Sequence, residues 1–357
     1  MGNQASKVIE KTKERKERRS KSNRRRSTIT LGGRSHSSLV MAATKSMQAN
    51  YDWIDEKNQA AAVAAAAAAL PTPPHSQPKS RRQSITEFFS GRKKSLVQED
   101  FREYDRLQRQ HYLLKSARKS NAWGEIEEGM TIVDVGTGNG IWALEMASEQ
   151  THCKIIGLDL RPPAEQQGKP KNLNYLEADI TETWPLESGS VDYIFQRAMG
   201  SSIQKSQWSH VLGEMLRVLK PGGTIELLEA DLWHHNPGPV QRAFDEFYQN
   251  QCTESGLDFA FTEVIEKDLF SIGFGELDHR TLDIPIGEWP QDSELKQFGF
   301  INKEIQKAFL RNRKNFYVSK WGITPEDYDL AVQEVMTEFE EYNGFSRFNC
   351  WIAKKPM

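Results

Sequence analysis

The sequence predicts an α/β fold in which a doubly wound, mostly parallel seven-stranded sheet is covered by helices. Strand-like runs alternate with helical stretches from residue 131 onward, a pattern typical of parallel sheets. The first strand ends in a glycine-rich turn over residues 136–140. Acidic residues follow the next two strands, Asp159 and Asp179, at the edge where open α/β sheets bind ligands.

The individual elements follow from the apolar pattern. Leu107, His111 and Leu114 share one helical face, which predicts an amphipathic helix over residues 98–118. Later helices are expected at 142–148, 206–219, 293–312 and 325–342, the last two forming a lid. Strands are expected at 131–135, 154–159, 173–177, 191–195, 224–228, 277–285 and 346–353.

Charge is distributed unevenly along the chain. The net charge is −2, but residues 1–120 hold 26 Lys and Arg against 11 Asp and Glu, whereas the remainder holds 21 against 38. Residues 1–96 also contain an alanine tract and a proline cluster, with few apolar residues to offset chain entropy. We therefore expect a disordered basic, Ala- and Pro-rich arm over 1–96 and a folded domain over 97–357.

The cysteines and the hydropathy bear on the environment of the protein. Cys153, Cys252 and Cys350 are odd in number and lack metal-type spacing, which predicts free, buried thiols and a reducing compartment. No apolar run reaches the length of a membrane span, and no secretory signal follows Met1. These features predict a soluble intracellular protein without a metal centre.

The turn after the first strand reads Asp134-Val-Gly136-Thr-Gly138-Asn-Gly140. Glycines at a strand-to-helix turn let a ligand approach backbone that a Cβ would block. A G-x-G turn alone also occurs in purely structural loops. The dinucleotide fingerprint needs a glycine where this chain has Ile141, which disfavours a nicotinamide oxidoreductase.

Two acidic residues strengthen the prediction of a ligand site. Asp159 ends the second strand, where its carboxylate can accept hydrogen bonds from both hydroxyls of a ribose. Asp179 follows the third strand, within reach of an adenine amino group. Either residue alone is equally well explained as a loop-start residue or a helix cap. Together with the glycine turn, they occupy three consecutive strand ends and predict one site.

This set of residues resembles the class I S-adenosylmethionine (SAM)-dependent methyltransferases, which have a Rossmann-like fold. In that family the glycine loop holds the methionine part of SAM, and the later acidic residues contact ribose and adenine. The family's fourth and fifth segments resemble residues 191–197 and 216–223. The resemblance implies SAM as cofactor, bound by Asp134, Gly136, Thr137, Gly138, Gly140, Asp159, Leu160, Asp179, Ile180 and Gln196.

A narrower resemblance, to the fungal LaeA-like (UMTA-type) methyltransferases, covers nearly everything from residue 103 onward. It rests on residues 103–111, 136–143, 284–290 and 321–326. The departures are Arg109, Asn139 and the pair Phe195-Gln196. The resemblance implies methyl transfer from SAM to an unidentified acceptor, a small molecule or a protein. The alternative is a regulatory or scaffolding protein of the secondary-metabolism-regulator type that retains the SAM-binding fold.

No catalytic residue is assigned, because methyl transfer from a sulfonium needs alignment and exclusion of water more than a base. His111 can serve as a base or simply pack on the domain. His234 and His235 lie at the mouth of the expected site, but adjacent strand residues point apart, which disfavours a metal pair. Residues expected to line the substrate side are Gln110, His111, Tyr193, Gln196, Arg197 and Trp208.

The arm begins with Met1-Gly2-Asn3-Gln4-Ala5-Ser6, which matches the N-myristoylation pattern with Gly2 as acceptor. One acyl chain binds membranes only marginally, and the basic residues within 1–26 supply a second attraction to an anionic membrane surface. We therefore expect a cytoplasmic, peripheral membrane protein. The alternatives for residues 16–26 are nucleic-acid binding or nuclear import. Phosphorylation is expected to weaken the anchor at Ser27, Ser84 and Ser95.

Overall fold

The structure is a computed structural model that describes residues 13–15, 96–163 and 168–357. These residues belong to one compact unit. The Gly2 acylation pattern and the proposed phosphorylation sites therefore lie outside the described residues, as does most of the predicted disordered arm. The described parts of the arm are Lys13–Arg15, which are helical, and Leu96, where the first helix begins.

Seven strands form a single sheet in the order β3-β2-β1-β4-β5-β7-β6. Strands β1 to β5 are parallel, and β7 runs antiparallel to both β5 and β6. This topology confirms the doubly wound, mostly parallel sheet. The strands are β1 (Thr131–Val135), β2 (Lys154–Asp159), β3 (Leu173–Glu177), β4 (Val191–Arg197), β5 (Leu219–Ala230), β6 (Gly275–Pro285) and β7 (Phe345–Lys354).

Helices connect these strands, and none of the helices in the described part of the chain is long and apolar enough to cross a membrane. A 3₁₀ turn at Phe261–Glu263 precedes the fifth helix. The helices are α1 (Leu96–Arg118), α2 (Ile141–Glu149), α3 (Trp208–Val218), α4 (Pro239–Glu254), α5 (Ile265–Ile272), α6 (Ser293–Asn312), α7 (Lys314–Trp321) and α8 (Pro325–Glu341).

Two apolar cores lie on opposite faces of the sheet because side chains alternate along each strand. Val133 and Ile194 pack on one face with α3 and α5. Ile132 and Phe195 pack on the other face with α1, α2 and α6. Chain order reverses between β1 and β4, so a crevice is expected outside their carboxyl ends.

A third apolar cluster joins α4, α7 and α8 outside the sheet. It is rich in aromatic side chains, with Phe244 packed edge-on against Trp321 at 4.9 Å and Phe247 stacked on Trp321 at 4.7 Å between ring centroids. The helices predicted at 293–312 and 325–342 are confirmed as α6 and α8. Their role as a lid stays a prediction.

Strand β5 begins earlier than the sequence pattern predicted. Leu219 pairs with Val191, and regular pairing resumes only at Thr224 with Tyr193. The residues between them bulge because Pro221 has no amide hydrogen to donate and Gly222 has a φ of +76°. The apolar pattern marks only the regular part of this strand.

The thiols are where the sequence predicted them. Cys153, Cys252 and Cys350 are free and buried. Burial raises the pKa of the Cys252 thiol to about 12, so this thiol stays protonated near neutral pH and behaves as a small apolar group.

Candidate functional site

The glycine loop lies between the carboxyl end of β1 and the start of α2. Gly136, Gly138 and Gly140 have φ values of +69°, +56° and +74°, a left-handed region that favours glycine. The amide groups of Gly136 and Thr137 donate to the carbonyl of Leu158 at 2.8 and 2.9 Å. The loop is therefore fixed to the end of β2.

The three glycines are needed for different reasons. A Cβ on Gly136 would lie 2.4 Å from the sulfur of Met199, and one on Gly140 would lie 2.4 Å from the Tyr175 hydroxyl. A Cβ on Gly138 would meet nothing closer than 3.9 Å. Gly136 and Gly140 thus allow close packing within the protein, whereas Gly138 faces open space that a ligand can occupy.

Asp134 and Thr137 are buried together beneath this loop. The Thr137 hydroxyl donates to Oδ2 of Asp134 at 2.6 Å. Burial raises the pKa of Asp134, whereas the hydrogen bond from Thr137 and the charge of Arg197 lower this pKa. Burial has the larger effect, and the pKa is about 6. Asp134 therefore acts first as a support for the loop.

Asp159 ties the glycine loop to the segment after β2. Its Oδ2 accepts from the amide of Gly138 and its Oδ1 from the amide of Arg161, both at 2.9 Å. The side chain of Leu160 is 44% exposed. The structure thus brings the acidic residue of β2 into direct contact with the glycine that faces open space. A ligand site shared by these residues stays a prediction.

Asp179 follows β3 and stabilises its own turn. Oδ1 of Asp179 accepts from the amide of Thr181 at 3.0 Å and from its hydroxyl at 2.7 Å. Ile180 is buried in the core on the α3 side of the sheet. Asp179 therefore acts as a residue that starts and stabilises the loop after β3. Its contact with adenine stays a prediction.

Gln196 and Glu229 form a buried polar pair at the carboxyl ends of β4 and β5. Nε2 of Gln196 donates to Glu229 at 3.3 Å, and the same carboxylate accepts from the amides of Met199 and Gly200, each at 3.0 Å. Burial raises the pKa of Glu229 to about 7. Sequence reasoning missed Glu229, although an acidic residue inside an apolar strand was a visible signal.

The amide oxygen of Gln196 is buried and has no hydrogen-bond partner in the described part of the chain. Buried polar atoms are rarely left in this state. This acceptor lies on the strand next to β1, and Ala198, two residues further along, has a φ of +56°. A site for a ligand with hydrogen-bond donors would contain such an unsatisfied acceptor.

Arg197 joins this site to the first helix. Its Nη1 donates to Nδ1 of His111 at 3.0 Å, while Nε2 of His111 donates to Glu145 at 2.9 Å. Burial and the Arg197 charge lower the pKa of His111, against Glu145, which raises it. Because both ring nitrogens are engaged, His111 is a neutral link between α1, α2 and β4, which favours packing over catalysis.

Two residues predicted on the substrate side belong to the core instead. Tyr193 is fully buried and donates its hydroxyl to Glu226. Trp208 is buried and stacks on Phe261 with 5.3 Å between ring centroids. Both predictions were wrong because these two side chains pack into the cores on the two faces of the sheet. Gln110 is half-buried on α1.

His234 and His235 have separate carboxylate partners beyond β5. Nδ1 of His234 pairs with Asp245 at 2.9 Å, and Nε2 of His235 pairs with Asp231 at 2.8 Å. Burial lowers the pKa of His234, but the charge of Asp245 and the hydrogen bonds with Asp245 and Gln306 together outweigh this effect, so the net shift is upward. No group of His, Cys, Asp and Glu suited to a metal ion occurs among the described residues.

Comparison with known proteins matches a methyltransferase-domain family model to residues 132–223. A methyltransferase of Aspergillus terreus, pytC, is 28% identical over 274 residues, covering 72% of this chain and 82% of that protein. The laeA protein of Emericella nidulans, named both a protein-methionine methyltransferase and a secondary metabolism regulator, is 27% identical over 276 residues, covering 72% and 71%.

Among solved structures, a phosphoethanolamine N-methyltransferase of Haemonchus contortus aligns with 69% of this chain and 57% of that chain, at 19% identity and a TM-score of 0.44. The sheet order, the glycine loop and the family match define a methyltransferase with the class I fold. Within this class, the similarity to laeA and pytC confirms the resemblance to the fungal LaeA-like group.

Proposed function

We propose that this methyltransferase uses SAM, held at the carboxyl ends of β1 to β4. The glycine loop would receive the methionine part, Asp159 the ribose, and Asp179 with Ile180 the adenine. The residues that would contact the cofactor are Asp134, Gly136, Thr137, Gly138, Gly140, Asp159, Leu160, Asp179, Ile180 and Gln196.

The observation that carries this proposal is the contact between Asp159 and Gly138. A carboxylate at the end of β2 accepts from the amide of the one loop glycine that faces open space. A ligand that binds against Gly138 therefore lies beside a carboxylate suited to paired hydroxyls. The unsatisfied oxygen of Gln196 on β4 supplies a further acceptor, which fits a cofactor rich in donors.

When bound, SAM would supply an activated methyl group, and the protein's task is to align the acceptor and exclude water. Glu229 holds the segment after β4 through the amides of Met199 and Gly200. Met199 in turn packs against Gly136. This chain of contacts fixes the position of the loop relative to β4, where the acceptor would approach.

We expect Gly138→Val to abolish SAM binding, because the branched side chain would fill the open space and oppose the left-handed backbone. Gly189→Val is the matched control. Gly189 also has a positive φ, +65°, and a Cβ added there would meet nothing within 4 Å, but it precedes β4 at the opposite edge of the sheet. Titration calorimetry with SAM measures both variants, with circular dichroism to verify folding.

Normal SAM affinity in folded Gly138→Val protein would contradict the site. Equal losses in both variants would show that strain, not the cofactor, causes the effect. Mass spectrometry of the purified protein for bound SAM or S-adenosylhomocysteine is an independent measurement.

A second candidate function is a regulatory or scaffolding protein that retains the SAM-binding fold. It is favoured by the similarity to laeA, which is named a secondary metabolism regulator. SAM carrying a radiolabelled methyl group, incubated with the protein and cell extract, separates the two functions. Label in a protein or in a small molecule supports methyl transfer and identifies the acceptor class, whereas SAM binding without any labelled product supports the regulatory function.

We also propose that residues 1–26 hold the protein at an anionic membrane surface, with Gly2 as the myristoylated residue. The support is the acylation pattern together with the density of Lys and Arg that follows it. Nuclear import or nucleic-acid binding by the same residues is the alternative.

A further inference from the structure

An arginine from the amino-terminal arm occupies an acidic pocket on α8. Arg15 is separated from α8 by more than 300 residues, yet its Nη1 contacts Glu338 and its Nη2 lies 2.7 Å from Oε2 of Glu341. Its Nε lies 3.4 Å from Oε1 of Glu334. Only 20% of the Arg15 side chain is exposed. Three carboxylates contact this guanidinium and fix its position, whereas an ordinary surface ion pair involves a single carboxylate.

The pocket is built by helical spacing. Glu334, Glu338 and Glu341 fall on one face of α8, since residues three and four apart are neighbours on a helix. Tyr342 forms one wall, with its ring centroid 5.2 Å from the guanidinium carbon of Arg15, within the range of a cation–π contact. Lys13 lies 4.0 Å from Asp327 on the same helix. Two basic residues of the arm therefore meet matching acids.

Glu338 connects the acidic pocket on α8 to the start of α4. It is fully buried and accepts from the amides of Val240 and Gln241, at 2.9 and 2.8 Å, at the first turn of α4. Burial raises the pKa of Glu338. A buried carboxylate that already caps one helix gains most from a cation that neutralises its charge, and Arg15 supplies this cation.

We propose that the acidic face of α8 is a docking site for the basic segment of the same chain around Arg15. Docking occupies Lys13 and Arg15, which an anionic surface would also attract, so these two side chains cannot be docked and bound to such a surface at once. The unequal charge of the two parts of the chain favours docking at low salt. The site therefore regulates how much positive charge the arm presents.

Carbodiimide coupling tests the docked contact, because it joins only amines and carboxylates already in contact. In the full-length protein, mass spectrometry should detect Lys13 joined to Asp327, with Lys303 and Glu340, 2.8 Å apart, as the internal reference. Arg15→Gln should lower the Lys13–Asp327 yield by about fivefold or more. Arg102→Gln, which removes the same charge from an exposed position on α1, should leave it unchanged.

Four outcomes would overturn the proposal. The first is coupling of the reference pair without Lys13–Asp327 in the wild type. The second is equal yields in wild type and Arg15→Gln. In a mixture of isotope-labelled and unlabelled chains, cross-links joining the two kinds would assign the pocket to a second copy. Finally, vesicles containing phosphatidylserine should lower the yield, while phosphatidylcholine vesicles should not; no difference between the two would refute the competition.

Discussion

Asp159 shows how a single carboxylate can organise a candidate binding site before any ligand arrives. Its two oxygens are taken by two backbone amides, one from the glycine loop and one from the turn after its own strand. A ribose hydroxyl would use the remaining lone pairs, because an ionised carboxylate accepts about four hydrogen bonds. The side chain therefore supports the loop and remains available to a ligand.

We expect Asp159→Ala to weaken SAM binding by about 1–3 kcal/mol, the range for losing hydrogen bonds to a charged group. Glu177→Ala is the control. Glu177 is exposed, and it lies opposite Asp159 in the backbone register of β3 and β2, at the end of the neighbouring strand. That variant removes the same charge from the same edge of the sheet. Titration calorimetry gives both dissociation constants. An unchanged constant for Asp159→Ala would move the ribose contact elsewhere.

Helix α1 carries His111 to the site and is held by buried charges at its carboxyl end. Arg118 contacts Glu226 of β5, and both side chains are almost completely buried, 2% and 0% exposed. Glu226 also accepts from the amides of Trp123 and Gly124, at 2.7 and 2.9 Å. One carboxylate on β5 thus fixes both the end of α1 and the chain that follows it.

Arg118→Leu should lower the free energy of unfolding by about 3–5 kcal/mol, because it leaves Glu226 buried without its cation. Arg109→Leu breaks an exposed pair with Asp105 on the same helix, and we expect a change of no more than about 1 kcal/mol. Urea unfolding followed by circular dichroism measures both. Similar midpoints for the two variants would mean that the Arg118 pair contributes no more than a surface pair.

The junction of α1 and α2 should make stability depend on acid pH. Burial would raise the pKa of Glu145, but hydrogen bonds from His111, Lys115 and Asn121 lower it from 4.5 to about 2. The folded state therefore prefers the ionised form. This stabilisation is complete above about pH 4.5 and disappears as the pH falls toward about 2.

Glu145→Gln should accordingly destabilise the protein near neutral pH and much less near pH 3, where this carboxyl group of the unfolded wild-type chain, with its ordinary pKa of 4.5, already binds a proton. Urea unfolding of both proteins at pH 6, 4 and 3 measures this difference. Glu149→Gln is a control on the exposed side of the same junction, where the carboxylate is 44% exposed. A difference between wild type and Glu145→Gln that is constant across this range would contradict the assigned shift.

The sequence predicted those parts of the molecule that depend on local pattern. Strands β1, β2 and β3 and helix α6 have the predicted bounds, because short apolar runs and a clear 3.6-residue period define them. Helices α4 and α7 were not predicted individually. They are stabilised by aromatic packing between segments some 70 residues apart, such as Phe244 on Trp321, and a local pattern does not reveal such contacts.

The candidate site likewise contains residues that the sequence predicted and contacts that it did not predict. The glycine loop and Asp159 were recognisable because their spacing along the chain follows the strand ends. The link from Arg197 through His111 to Glu145 joins three separate elements, so only the folded chain reveals it. The docking of Arg15 on α8 is the extreme case, since neither the basic arm nor the acidic helix indicates by its sequence that the two meet.

For the molecule as a whole, we predict attachment to a cytoplasmic membrane face by two weak attractions acting together. Gly2 and Ser6 fit the acylation pattern, and the residues from Lys7 to Arg26 form a basic cluster. A single acyl chain binds reversibly, and the attraction of basic residues is screened beyond about 8 Å at physiological salt. Because the two free energies add, loss of either one should release most of the protein.

Cell fractionation and imaging of the full-length protein test this prediction. Gly2→Ala should move the protein from the membrane to the soluble fraction, whereas Gly32→Ala, the same change elsewhere in the arm, should not. Replacing Arg24, Arg25 and Arg26 with Gln should release part of it, because acylation and a weakened basic cluster remain. If Gly2→Ala and wild type accumulate equally in the nucleus, the basic cluster is an import signal and the membrane attachment is wrong. Release by Gly2→Ala without nuclear accumulation would instead establish that acylation supplies one of the two attractions.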